Sequence, residues 1–219
     1  GVCTPCLLTE VISRARRGSP DPAAGCPVLV DPARITDYER YSGCEVLIPN
    51  RIEAELATGR RIIDPAEALS VGRQLLDRTH AQTVIVKLDR DGLALIEASG
   101  PAALVPTRPR EISDVTGAGD MVLAMLGFCR AADVPLAEAA RLANLAAGLE
   151  VERLGVTPIT RSEILAEGLR EGRSGIDKVV NLATMAALAE TYRQAGRRVV
   201  FTNGCFDLLH VGHVTCLQH

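Results

Sequence analysis

The 219-residue chain sets 24 Lys and Arg against 27 Asp and Glu, a formal charge of −3, with 47% hydrophobic and 23% charged residues. This is the composition of a globular chain, not a disordered one. The near-neutral balance, without a Lys/Arg block, argues against nucleic acid or a membrane surface as partner.

No apolar run approaches the ~18 residues of a membrane-spanning helix, and GVCTPCLLTE lacks the basic start and long apolar core of a secretory signal. Cys3, Cys6, Cys26, Cys44, Cys129, Cys205 and Cys216 form an odd, scattered set. They favour a reducing cytoplasm over a disulfide framework.

In chain order, Leu7, Leu8, Val11, Ile12 and Ala15 share one face of a helix over 7–17. PVLVD reads as a short buried strand ending at Asp31, and EVLIPN as a second that stops at Pro49. Asp64, Pro65 and Glu67 are the N-cap, N1 and N3 residues of a helix over 64–78. TVIVKL (83–88) is a third strand, and DRDG turns it into the return strand LALIE. A Pro/Arg loop leads to DVTGAGD (114–120) and the apolar stretch MVLAMLGF. Helices follow over 135–151 and 161–170. Strands alternating with helices predict an α/β fold with a largely parallel sheet covered on both faces.

The polar, glycine-bearing stretch EGRSGIDK supplies a linker, placed at 173–178, between a domain over 1–172 and a shorter one over 179–219. The second would hold a helix over about 179–195, the strand RRVVFT, the loop NGCFD and the start of a further helix. It is too short to close a sheet of its own.

Two places carry chemistry. Gly117, Ala118, Gly119 and Asp120 stand where a loop enters an apolar helix, and helix N-termini present unpaired N–H groups and partial positive charge to anions. The glycines let a phosphoryl group approach the backbone closely. A carboxylate in the first turn could take the proton of an attacking hydroxyl. A plain helix cap is an equal alternative on these four residues alone. In the tail, His210 and His213 fall on one side of a helix start and could bind phosphate oxygens as charge develops, with Gly204 allowing close approach. A zinc cluster with Cys205, Cys216 and His219 matches no common spacing, and satisfied helix-start histidines are the other alternative.

DVTGAGD followed by a small, apolar helix closely resembles the signature of the ribokinase-like (PfkB) sugar kinases. The resemblance implies a ribokinase-like doubly wound sheet, with Asp120 as catalytic base and the backbone of Gly117, Ala118 and Gly119 as anion hole. It implies that Asn50 and Glu53, in PNRIE, help hold Mg²⁺ and phosphate, Glu53 through water; a helix cap is their alternative reading. Lys87, Asp89 and Gly92, in KLDRDG, match the strand and turn beside the nucleotide, although an ordinary hairpin would also use them. Asn144 matches a position near adenine. Asp31, at a strand end, faces the sugar pocket or simply forms an Asp-Pro turn.

VVFTNGCFDLLHVGH resembles the first motif of the cytidylyltransferase-like nucleotidyltransferases, a Rossmann-like fold. It implies Thr202, Gly204, Phe206, His210 and His213 as nucleotide contacts. The two motifs in this order resemble the family of bifunctional heptose 7-phosphate kinase/heptose 1-phosphate adenylyltransferases. Sugar phosphate, ATP and Mg²⁺ are the expected ligands, a homo-oligomer through the kinase domain the expected assembly, and the chain is expected to hold only the middle of such a protein.

Overall fold

A computed structural model describes residues 4–17, 26–107, 117–153, 155, 158–171, 181–194, 196–203, 211, 212 and 215. The chain forms two compact units, Gly1–Ile164 and Leu165–His219.

The first unit is built on a five-stranded sheet in the order β1 (Leu29–Val30), β2 (Val46–Leu47), β3 (Thr83–Lys87), β4 (Leu93–Glu97) and β5 (Ala103–Val105). β1, β2 and β3 run parallel, whereas β4 and β5 pair antiparallel. The sheet is therefore mixed rather than largely parallel. A parallel return needs a crossover of a dozen or more residues, whereas a hairpin needs only a tight turn. Between β2 and β3 the crossover is made by α2 (Arg51–Thr58) and α3 (Pro65–Thr79), while a 3₁₀ turn at Asp89–Asp91 folds β3 straight back into β4. β5 occupies part of the stretch expected to be a loop. Its three residues lie between Pro101 and Pro106 and take their pairing from β4 rather than from any run of strand formers.

Side-chain alternation sorts the strands between two cores. Leu47, Val84, Val86, Ala94 and Ile96 pack with Ala68, Val71 and Leu75 of α3, with Ala54 and Ala57 of α2, and with Ile12 of α1 (Pro5–Arg17). Val46, Ile48, Ile85, Leu93 and Leu95 face the other way, onto α4 (Ala118–Ala131) and α5 (Leu136–Val151). Val122, Leu126, Ala139, Ala140 and Ala143 complete that second core. Fully burying such a side chain contributes ~1.5–3 kcal/mol, so a strand one residue out of register would forfeit both faces at once. α3 lies very close to the sheet: a Cβ on Gly72 would stand 2.3 Å from Ile96 Cδ1. Asp64 caps α3 as expected, its side chain accepting from Glu67 N at 2.7 Å, with Pro65 in the first turn.

α6 (Arg161–Glu171) crosses the division between the units. Thr160 and Glu163 close a reciprocal cap on it: Glu163 N donates to Thr160 Oγ1 at 3.3 Å and Thr160 N to Glu163 Oε2 at 2.8 Å. Hydrogen bonds from Thr160, with help from Arg153, hold the Glu163 carboxyl down at about 2.

In the second unit α7 (Leu182–Gln194) buries Leu188, and the Arg197 guanidinium lies 5.9 Å from the centre of the Tyr192 ring. The expected strand RRVVFT does not form: residues 196–203 carry no strand, and Val200 and Phe201 are exposed. A strand exists through its ladder, and among the described residues nothing pairs with this one. The linker at 173–178 lies outside the described residues.

Candidate active site

Three parallel strands deliver their C-terminal ends to one edge, which is where open α/β sheets place ligands. Asp31 follows β1, Asn50 follows β2 by three residues, and Lys87 closes β3. Ile48 N donates to Val30 O and Lys87 N to Pro49 O, both at 2.8 Å, and an isolated bridge joins Asn50 to Lys87. The N-terminus of α4 arrives at the same edge. A cleft of about 480 Å³ results, lined by Asp31, Pro32, Ala33, Asn50, Glu53, Lys87, Gly117, Gly119 and Asp120.

Among the described residues, α4 opens without a side-chain cap. Gly117 sits there at φ 90°, a left-handed conformation that a side chain would strain. The N–H groups of Ala118, Gly119 and Asp120 have no carbonyl four residues back inside the helix, so the helix end offers donors to an anion. Asp120, in the first turn, is exposed to the cleft, while Ala118 is not part of its lining.

Asn50 and Glu53 turn out to be both a helix cap and part of the cleft. The Asn50 side chain accepts from Glu53 N at 2.9 Å, and Asn50 N donates to Glu53 Oε2 at 2.8 Å. This capping box fixes the direction in which the Glu53 carboxylate leaves α2. Arg51, which no spacing pattern singled out, clamps α2 to the turn after β3. It donates to Ile62 O at 2.8 Å, to Leu88 O at 3.2 Å and to Asp91 at 2.6 Å, and pairs with Asp89 at 3.7 Å. Its partners lie up to 40 residues away in sequence, beyond any local signal.

Lys87 Nζ donates to Asp31 Oδ1 at 2.8 Å. Tyr41 OH accepts from Ala33 N at 3.1 Å and steadies the turn after Asp31. Tyr38 is fully buried, its hydroxyl without a partner among the described residues. Burial pushes this phenol well above its ordinary range, and the charges of Glu53, then Tyr41 and Asp31, add to the effect. On α5, Glu150 is 3% exposed and its Oε2 has no hydrogen-bond partner among the described residues. Burial, then the charge of Asp120, raises its carboxyl above the ordinary value.

The remaining expected residues are not among the described residues that line this cleft. Asp89 is spent on Arg51, and Gly92 packs against the backbone of β5. Asn144 Nδ2 donates to Pro106 O at 3.1 Å, tying α5 to the segment after β5. Thr202 is exposed in the second unit, and Gly204, Phe206, His210 and His213 lie outside the described residues, as does Asp114–Thr116 of the motif. Cys6, Cys26 and Cys129 are free thiols. Among the described residues no cluster of three His, Cys, Asp or Glu is arranged for a metal, and no helix is long and apolar enough to cross a membrane.

Residues 6–162 match the family model described as pfkB family carbohydrate kinase. Along the whole chain, the sequence is 44% identical to a protein named bifunctional protein HldE from Geobacter sulfurreducens and 43% identical to its namesake from Trichlorobacter lovleyi. The chain spans 43% of the length of each. Among solved structures, phosphofructokinase-2 from Escherichia coli in complex with substrates and products superposes with a TM-score of 0.66 at 19% identity, over 78% of this chain and 54% of that one. Arabidopsis thaliana ribokinase complexed with ribose and ATP gives 0.65 at 22% identity, over 75% and 52%.

Proposed function

The chain belongs to the pfkB family of carbohydrate kinases, and on that premise we propose that it is part of a longer bifunctional enzyme and carries the C-terminal part of its kinase domain. The complete kinase domain of that enzyme phosphorylates the anomeric hydroxyl of D-glycero-β-D-manno-heptose 7-phosphate with ATP. The longer protein then joins heptose 1-phosphate to AMP from a second ATP, giving ADP-heptose and pyrophosphate. A cytoplasmic homo-oligomer, formed through the kinase domain, belongs to the same reading.

The observation that carries the kinase step is one cleft holding a carboxylate, a lysine and a helix N-terminus that begins at a glycine. Asp120 takes the proton of the sugar hydroxyl as its oxygen bonds to the γ-phosphorus and the bond to ADP breaks. The amides of Ala118, Gly119 and Asp120, with Lys87, balance the charge of the migrating group. The oxygen donors Glu53 and Asn50 suit Mg²⁺, held through water. When bound with ATP, the ion would neutralise phosphate charge. The adenylyl-transfer half is supported by the tail motif and by the relatives' common name.

Measuring ADP release with a panel of acceptors tests the substrate. Heptose 7-phosphate should exceed ribose and fructose 6-phosphate by ~10²-fold or more in kcat/KM. Equal or better use of either competitor would defeat the heptose assignment and leave a general sugar kinase.

A further inference from the structure

Asp31 and Lys87 reach each other across the end of β2, and the pair is little exposed, 25% for the carboxylate and 13% for the ammonium. It lies directly against the backbone that opens α4. A Cβ on Gly119 would stand 3.2 Å from Lys87 Nζ and 3.8 Å from Asp31 Oδ2. Lys87 is also the one cation among the described lining residues, against the carboxylates of Asp31, Glu53 and Asp120. Anion binding here therefore depends on the availability of a single ammonium. It carries three donors, and its one partner among the described residues is Asp31.

We propose that Asp31 is a positioning residue for Lys87, and that Asp31 and an incoming phosphoryl group compete for the same ammonium. The inference rests on the phosphate reading of the cleft and gives Asp31 a task other than sugar recognition. Asp31 holds the flexible lysine at the mouth of α4, so little side-chain entropy is lost when the anion arrives. The anion then draws the N–H donors from the carboxylate onto phosphoryl oxygens. Lys87 remains an ammonium throughout and moves no proton. Glycine at 119 follows from the same arrangement, since a side chain would occupy the path of the ammonium.

The test is a sulfate titration of the full chain at constant ionic strength, followed through the Gly117 and Gly119 amide resonances. Lys87→Met should weaken binding roughly tenfold or more, and Lys87→Arg should stay within about threefold of the unchanged chain. Asp31→Asn keeps an oxygen acceptor that positions Lys87 but removes the competing negative charge, so it should bind sulfate a few-fold more tightly; a merely structural carboxylate would weaken binding or leave it alone. Unchanged affinity in Lys87→Met, or unchanged or weaker affinity in Asp31→Asn, would overturn the proposal while leaving the kinase reading in place. Failure of the unchanged chain to bind sulfate at all would overturn both.

Discussion

Asp120 opens α4 and Glu150 closes α5, and because the two helices form an antiparallel hairpin, both carboxyls reach its open end beside the cleft. Of the titratable groups on the elements packed around Glu150, Cys129 and Arg130 lie at the closed end of the hairpin, and β5 has none. β4 carries only Glu97. Arg153, three residues on, is engaged with Glu163 and Pro158 O. Among the described residues, therefore, no cation offsets Glu150, and its carboxyl is raised by burial first and by Asp120 second. With its value raised on folding, the folded state binds more protons across the window from the unfolded value up to the folded one. Stability falls as pH rises through that window, and the whole penalty is present above it. Glu150→Gln should therefore raise the melting temperature at pH 7, and the gain should disappear below the ordinary carboxylate range. A gain that persisted in acid would show that the amide, rather than the lost charge, was responsible.

At the scale of elements, the sequence was most legible where local chemistry decides. Asp64, Pro65 and Glu67 announced α3, and DRDG announced the return of β3 into β4, because caps and turns are set by residues within a few positions. The reciprocal Thr160–Glu163 cap was equally local, and went unread although T-x-x-E stands at the start of α6. β5 had no such signal, since its three residues become a strand only through β4. RRVVFT shows the converse, a strand-like run with no ladder among the described residues.

Gly92 is where hairpin and edge strand are most tightly bound together. It sits at φ 92°, and a Cβ there would stand 2.1 Å from Val105 O and 2.8 Å from Thr107 N, backbone atoms that cannot swing aside. Gly92→Ala should cost at least about 3 kcal/mol in denaturant unfolding, strain and overlap together. It should also loosen the Asn144–Pro106 tie. A loss below about 1 kcal/mol would mean that β5 shifts freely to make room.

For the molecule as a whole, the two cores follow from strand alternation, and the cleft follows from where three strands and one helix end. The motif at 117–120 marked one wall of that cleft, where Gly117, Gly119 and Asp120 stand. The pairing of Lys87 with Asp31 was not legible, because 56 residues separate them and only the order β1-β2-β3 brings their strand ends together. Arg51 was missed for the same reason.

The most direct trial of Asp120 as the base is ATP-dependent phosphorylation of heptose 7-phosphate, compared between the unchanged protein and Asp120→Asn. The side chain is exposed and the two are isosteric, so melting temperatures should agree within about 1 °C, while kcat should drop by ~10²–10⁴, the range of a lost general base. Unaltered kcat in a normally folded Asp120→Asn protein would contradict a proton passing to this carboxylate, and with it the phosphoryl-transfer chemistry assigned to the cleft.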